Sequence, residues 1–115
     1  MLEDHSILLT FIQEAVRQGN FYITAHGVRK HTVAEGFRPS QAIEAILNGQ
    51  VIENDDARSR CLICGQADGL SISTDFIANY VHCVCEYDNI NNIVIVTMYR
   101  PSNKDWVNQH TRRRN

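Results

Sequence analysis

The hydrophobic period changes once along the chain, at Gly49, and this change restricts the fold more than any other feature. Before it, apolar residues recur at helical spacing; after it, they alternate. Ile7, Leu8, Phe11, Ile12, Ala15 and Val16 form one stripe of a helix over residues 4–18, with Asp4 or Ser6 as its cap and Gly19 just past its end. Thr24 is the N-cap of a second helix that runs to Gly36. Its apolar stripe is thin, and Gly27 and the β-branched residues each weaken it by a few tenths to about 1 kcal/mol relative to alanine, so packing has to hold it. Arg38-Pro39-Ser40 opens a third helix, whose Ala42, Ile43, Ile46 and Leu47 face the core before the stop at Asn48-Gly49.

Beyond Gly49 the chain reads as strands. Val51-Ile52-Glu53 is short, Arg60 to Gly65 is longer, and Tyr80 to Tyr87 and Ile93 to Tyr99 are rich in Val, Ile, Tyr and Thr. Residues 88–92 make a polar hairpin loop, and residues 70–79 a loop or extended connection. Helices followed by strands predict an α+β fold, with the N-terminal helices packed on one face of a four-stranded antiparallel sheet and the other face partly open. A chain of 115 residues has room for one core. A single domain over 1–115 is expected, ending in a flexible basic tail over 108–115.

Period-two alternation sorts the last two strands. Tyr80, His82, Val84 and Glu86 share a face opposite Val81, Cys83, Cys85 and Tyr87. Ile93, Ile95, Thr97 and Tyr99 likewise oppose Val94, Val96, Met98 and Arg100. If Tyr87 pairs with Ile93, His82 lies opposite Met98; a one-residue slip brings it to Thr97 and Tyr99 instead. Both registers remain open at this level.

A net charge of −2 excludes a surface that is basic all over, but not a local basic cleft. No apolar run approaches the roughly 20 residues of a membrane helix. Met1 to His5 lacks the basic start of a secretory signal, so a cytoplasmic protein without a membrane partner is expected. The four cysteines then belong to a reducing compartment. Cys61-Leu62-Ile63-Cys64-Gly65 has the form of a zinc knuckle, for which Cys83 and Cys85 could supply two more thiolates. On a strand, however, Cys61 and Cys64 face opposite sides. Buried thiols are the favoured reading, structural zinc the alternative, and no metal or cofactor is expected.

Several stretches occur together in order: Ile23-Thr24-Ala25-His26, Asn48-Gly49-Gln50-Val51-Ile52-Glu53, His82-Cys83-Val84-Cys85, and Thr97-Met98-Tyr99-Arg100-Pro101 followed by Trp106. This order resembles the domain of unknown function 4258 family over residues 21–106. Glu35 stands before Gly36 where that family usually has arginine. The family is similar in layout to the RelE/ParE/BrnT toxin superfamily. The resemblance therefore implies a RelE-like fold, a toxin-like ribonuclease role within a toxin–antitoxin type system, and an antitoxin-like partner protein.

Cleavage of RNA without a metal needs a base for the 2′-OH, an acid for the leaving 5′-oxygen and cations for the phosphorane. His26, His82, Tyr99 and Arg100 are the candidate catalytic residues. Arg29 and Lys30 share a helix face with His26 at i+3 and i+4 and are candidate substrate-binding residues. Each has a plainer counterpart: a solvated helix face for the His26 cluster, a packed strand histidine for His82, a sheet aromatic for Tyr99 and an ion pair for Arg100. The Arg112 to Arg114 run adds nonspecific attraction to nucleic acid or contacts an acidic partner. A metal-independent endoribonuclease acting on RNA is thus weighed against a non-catalytic protein-binding or regulatory module of the same fold.

Overall fold

Runs of β-branched and aromatic residues bury best on a pleated surface, and five such runs build the sheet. The computed structural model describes residues 5–25, 32–88 and 92–114. Its strands β1 (Phe21–Ile23), β2 (Gln50–Asp55), β3 (Arg60–Gln66), β4 (Tyr80–Glu86) and β5 (Ile93–Tyr99) lie in the order β1-β5-β4-β3-β2. β1 runs parallel to β5, and the remaining neighbours are antiparallel. The expected α+β class stands, but the sheet is five-stranded and mixed rather than four-stranded and antiparallel. Three residues are too short to show a period, so β1 leaves no readable alternation. It reaches its parallel partner β5 only after the whole intervening chain, a second helix and β2 to β4 included.

Helices α1 (Ser6–Arg17) and α2 (Pro39–Asn48) cover one sheet face. Ile12, Val16, Ala42, Ala45 and Ile46 meet Cys61, Ile63, Val81, Cys83, Cys85, Ile93, Ile95 and Met98 in the core. The expected α2 stripe is found with Ala42 and Ile46 buried, Ile43 and Leu47 partly so. In α1 the stripe is narrower than its sequence suggests, because Ile7 is 87% and Phe11 42% exposed. Gln13 fastens the helices together, donating from Nε2 to the carbonyl of Ile46 at 3.0 Å. Gln41 caps α2 by accepting from the Arg38 amide at 2.7 Å, and its Nε2 donates to the Asp68 carbonyl at 2.7 Å. Residues 32–35 are helical, as expected for the end of the second helix. His26, Arg29 and Lys30 lie outside the described residues.

A β-bulge between Val84 and Cys85 resolves the register of β4 and β5. Glu86↔Val94 and Cys85↔Ile95 follow the first register; Val84↔Thr97, Cys83↔Met98 and His82↔Tyr99 follow the slipped one. Both registers are therefore present, one at each end. The extra residue, Val96, also breaks the alternation expected along β5. Ile93, Ile95 and Met98 enter the helix-side core, while Tyr99 joins His82 on the opposite face.

The segment expected as a flexible tail contains structure. β6 (Trp106–Asn108) and β7 (Thr111–Arg112) form a small hairpin. Trp106 is buried, and the hairpin lies on the sheet face that the helices leave free. Its own turn chemistry helps to close it: the Asn108 side chain accepts from the His110 amide at 2.8 Å.

Candidate functional site

Across the sheet, Cys64, His82 and Tyr99 form one cross-strand row on the face away from the helices, and Leu62, Val84 and Thr97 form the next. The C-terminal hairpin covers the first row; of the second, Leu62 is buried and Val84 and Thr97 are half-buried. A groove of about 490 Å³ results, lined by Val84, Tyr99, Lys104, Asp105, Trp106, Arg112 and Arg113. A second groove of about 350 Å³ borders it and shares Val84 and Arg112 as walls. Three of the residues around the first groove are cationic and one is anionic, so it is locally basic in a chain of net charge −2.

His82 is the buried centre of this site, with no exposed surface. Its Nε2 lies 2.8 Å from the carbonyl oxygen of Gln109. A carbonyl only accepts, so Nε2 carries the proton and Nδ1 is the free lone pair. Tyr99 sits 3.2 Å from that Nδ1 and donates its phenolic hydrogen to it. The Arg112 guanidinium lies beside the Tyr99 hydroxyl and favours its ionised form. Trp106 closes the other side of the imidazole, edge-on with ring centroids 4.4 Å apart. The result is a directed chain from the Tyr99 hydroxyl through His82 to the Gln109 carbonyl, with the Arg112 guanidinium beside its outer end.

Burial controls the ionisation of the chain. It pushes His82 down to about 4, against weaker support for the cation from the Gln109 carbonyl and Glu53. It also drives Tyr99 well above the usual phenol range, partly offset by Arg112. At neutral pH the pair is therefore uncharged. Arg112 is held as a cation by Glu53, with Nε to Oε2 at 2.7 Å and Nη2 to Oε1 at 3.0 Å, and its guanidinium lies 4.6 Å over the Trp106 ring.

Arg100 sits elsewhere. Only 2% of it is exposed, and its guanidinium donates to the carbonyls of Glu35, Ser71 and Ala78 and to the Ser71 hydroxyl. The structure thus brings His82 and Tyr99 together and directs Arg100 into the junction of residues 35–36 with the loop over 71–78. Arg112, Glu53 and Gln109 complete the site and were not singled out as site residues from sequence. Arg112 reads as one of three tail arginines, and its carboxylate partner is 59 residues away. No local pattern marks such a pair.

The four cysteines are buried free thiols. Burial raises Cys61 and Cys64 to about 12 and Cys83 and Cys85 higher still, so they are poor nucleophiles. Among the described residues no group of three or more His, Cys, Asp or Glu is arranged to hold a metal ion. No helix among them is long and apolar enough to cross a membrane.

The neutral state of His82 has a measurable consequence. The unfolded chain takes up a proton near the ordinary value of 6.5, the folded one near 4. Stability from this residue is therefore complete above pH 6.5 and is lost as the pH falls toward 4. Between pH 7.5 and 5.0 the loss should be about 2 kcal/mol. Urea unfolding of the wild type and His82→Gln at both pH values checks this. An equal pH dependence in the two proteins rules out the assignment.

The model of the family described as Domain of unknown function (DUF4258) matches residues 23–100, more than half of the chain. No curated protein and no solved structure matches it. The matched span runs from Ile23, the last residue of β1, through α2 and all of β2 to β5, with His82 and Tyr99, and stops before the hairpin that supplies Trp106 and Arg112. The chain belongs to the DUF4258 family of domains of unknown function.

Proposed function

We propose that the domain is a toxin-like endoribonuclease that binds RNA in the basic groove, with Tyr99 and His82 relaying the proton of the attacking 2′-hydroxyl. One observation carries this reading: the Tyr99 hydroxyl lies between the Arg112 guanidinium and the unprotonated Nδ1 of His82, on the wall of a groove that also presents Lys104 and Arg113. Because Tyr99 gives its own hydrogen to His82, its oxygen is an acceptor toward the groove. A ribose 2′-OH donates to that oxygen while the phenolic proton moves to Nδ1. The 2′-oxygen then bonds to phosphorus, giving a 2′,3′-cyclic phosphate. The departing 5′-oxygen takes a proton from Lys104 or water. Arg112 and Arg113 stabilise the added charge on the phosphorane. A RelE-like arrangement, with helices on one sheet face and substrate on the other, agrees with the helix-covered core and the groove opposite it. RNA as substrate implies action in the cytoplasm. His26, Arg29 and Lys30 enter this reading through the sequence alone.

One observation favours a second reading. Charging a histidine held at about 4 costs about 4 kcal/mol at neutral pH, which weakens His82 as the terminal base. In the alternative, the same fold is a non-catalytic protein-binding or regulatory module, and the Arg112–Tyr99–His82 chain serves only to fix the hairpin.

The two readings separate when purified protein is incubated with single-stranded RNA and both cleavage and binding are followed. The endoribonuclease reading expects 2′,3′-cyclic phosphate ends, a loss of about a hundredfold in cleavage for Tyr99→Phe, and RNA affinity nearly unchanged in that variant. RNA left intact by the folded wild type, with or without binding, selects the non-catalytic module.

A further inference from the structure

We propose that Glu53 is a built-in competitor that occupies the phosphate site on Arg112, so that the C-terminal hairpin is latched until an oxyanion displaces it. This rests on the reading of the groove as an RNA site and adds its regulation. A carboxylate and a phosphate present the same feature to a guanidinium: two oxygens spaced for two parallel N–H bonds. Glu53 fills that role here, taking Nε and Nη2 of Arg112 at 2.7 and 3.0 Å. Both side chains are about half exposed, so water and solute ions reach the pair, and such exposed pairs exchange partners at little cost.

The position of the pair gives the exchange its effect. Glu53 lies on β2 at one sheet edge and Arg112 on β7 of the hairpin, and the bridge spans the open face between them. The two grooves meet at Arg112 and Val84, so the bridge lies at the boundary between them. With Arg112 turned to an incoming phosphate, the boundary opens and the grooves become one channel over Leu62 and Val84. The same movement alters the two other contacts of the guanidinium, the Trp106 ring and the Tyr99 hydroxyl. Arrival of a phosphate is thereby coupled to the proton chain.

Trp106 is the only tryptophan in the chain and lies directly beneath Arg112, so its emission reports the exchange. The test titrates wild type, Glu53→Gln and Arg112→Gln with inorganic phosphate and, separately, with an eight-nucleotide oligouridylate. Removing the competing charge should tighten binding of both probes about tenfold in Glu53→Gln. Arg112→Gln should bind neither probe well, and adding Glu53→Gln to it should restore nothing. Glu53→Asp keeps the charge but shortens the reach, and should give a smaller gain; it carries the test if Glu53→Gln fails to fold. A gain for phosphate alone would keep the latch and assign the site to free phosphate rather than to a nucleic-acid backbone. Oligonucleotide binding by the wild type, with affinity for both probes unchanged or weaker in Glu53→Gln, overturns the latch and leaves the RNA reading intact. Absence of oligonucleotide binding by every folded variant removes the RNA reading itself.

Discussion

Replacing Gly65 with alanine should destabilise the domain by about 3 kcal/mol or more, since overpacking against an unyielding neighbour reaches or exceeds the upper end of the usual range. Helix α2 passes so close to β3 that a Cβ at position 65 would lie 1.8 Å from the Ala45 carbonyl oxygen and 2.8 Å from the Ala45 Cα. These are backbone atoms, so no side chain can turn away to relieve the contact. The whole helix would have to lift from the sheet. Lifting it would open the contacts of Ala42, Ala45 and Ile46 with Ile63 and Cys83, the centre of the core. A domain of this size has only about 5–15 kcal/mol of stability in all, so the variant should unfold at a much lower urea concentration. The substitution lies on no groove wall near Tyr99. On the proposed reading, RNA binding by the fraction that remains folded should therefore be unaltered. A midpoint within 0.3 M urea of wild type, by order of magnitude a change well under 1 kcal/mol, would show that α2 does not pack as described.

That close approach was not legible in the sequence, although the elements it joins were. Periodicity is a local signal, and it located α1, α2 and the four longer strands because each repeats its apolar residues several times. It did not find β1, where Phe21-Tyr22-Ile23 completes less than two periods. Nor did it find the bulge at Val96, since nothing in Ile93 to Tyr99 marks which residue leaves the ladder. Yet that one residue decides the site. Without it Tyr99 would lie with Ile95 in the helix-side core, and His82 would face Met98. The His82–Tyr99 pair was therefore open to sequence reasoning only as one of two registers. The outer half of the site was hidden for another reason. Arg112 gains its meaning from Glu53, and Gln109 from His82, through contacts spanning 59 and 27 residues. Composition alone makes three consecutive arginines at a chain end look like a solvated tail. The hairpin instead depends on Trp106 covering His82, an apolar contact that ties down a polar segment.

Arg100→Met should cost about 3–5 kcal/mol of stability, the range for removing one member of a buried charged network. The guanidinium stands at the junction of three segments. It donates to the Glu35 carbonyl at 3.2 Å, to the Ser71 hydroxyl and carbonyl at 3.0 Å each, and to the Ala78 carbonyl at 3.2 Å. It also stacks 4.5 Å over the Phe76 ring, and its backbone amide donates to the Glu35 carboxylate at 2.6 Å. Methionine has nearly the same length but supplies none of the donors, so three carbonyls lose their partner in a site that excludes water. Burial already lowers the affinity of this arginine for its proton, with the Glu35 carboxylate opposing the effect. Arg100→Lys should rescue little, because one ammonium cannot reach four acceptors set out for a planar fork. The Glu35 carboxylate offsets the charge of Arg100. The two residues are therefore read as one structural unit that ties the loop over 71–78 to the helical turn ending at Gly36. Urea unfolding measures the stability, and the RNA cleavage proposed above, assayed on the folded fraction, measures the chemistry. If Arg100→Lys keeps nearly full stability and still abolishes cleavage, Arg100 belongs to the reacting site and the structural account of it fails.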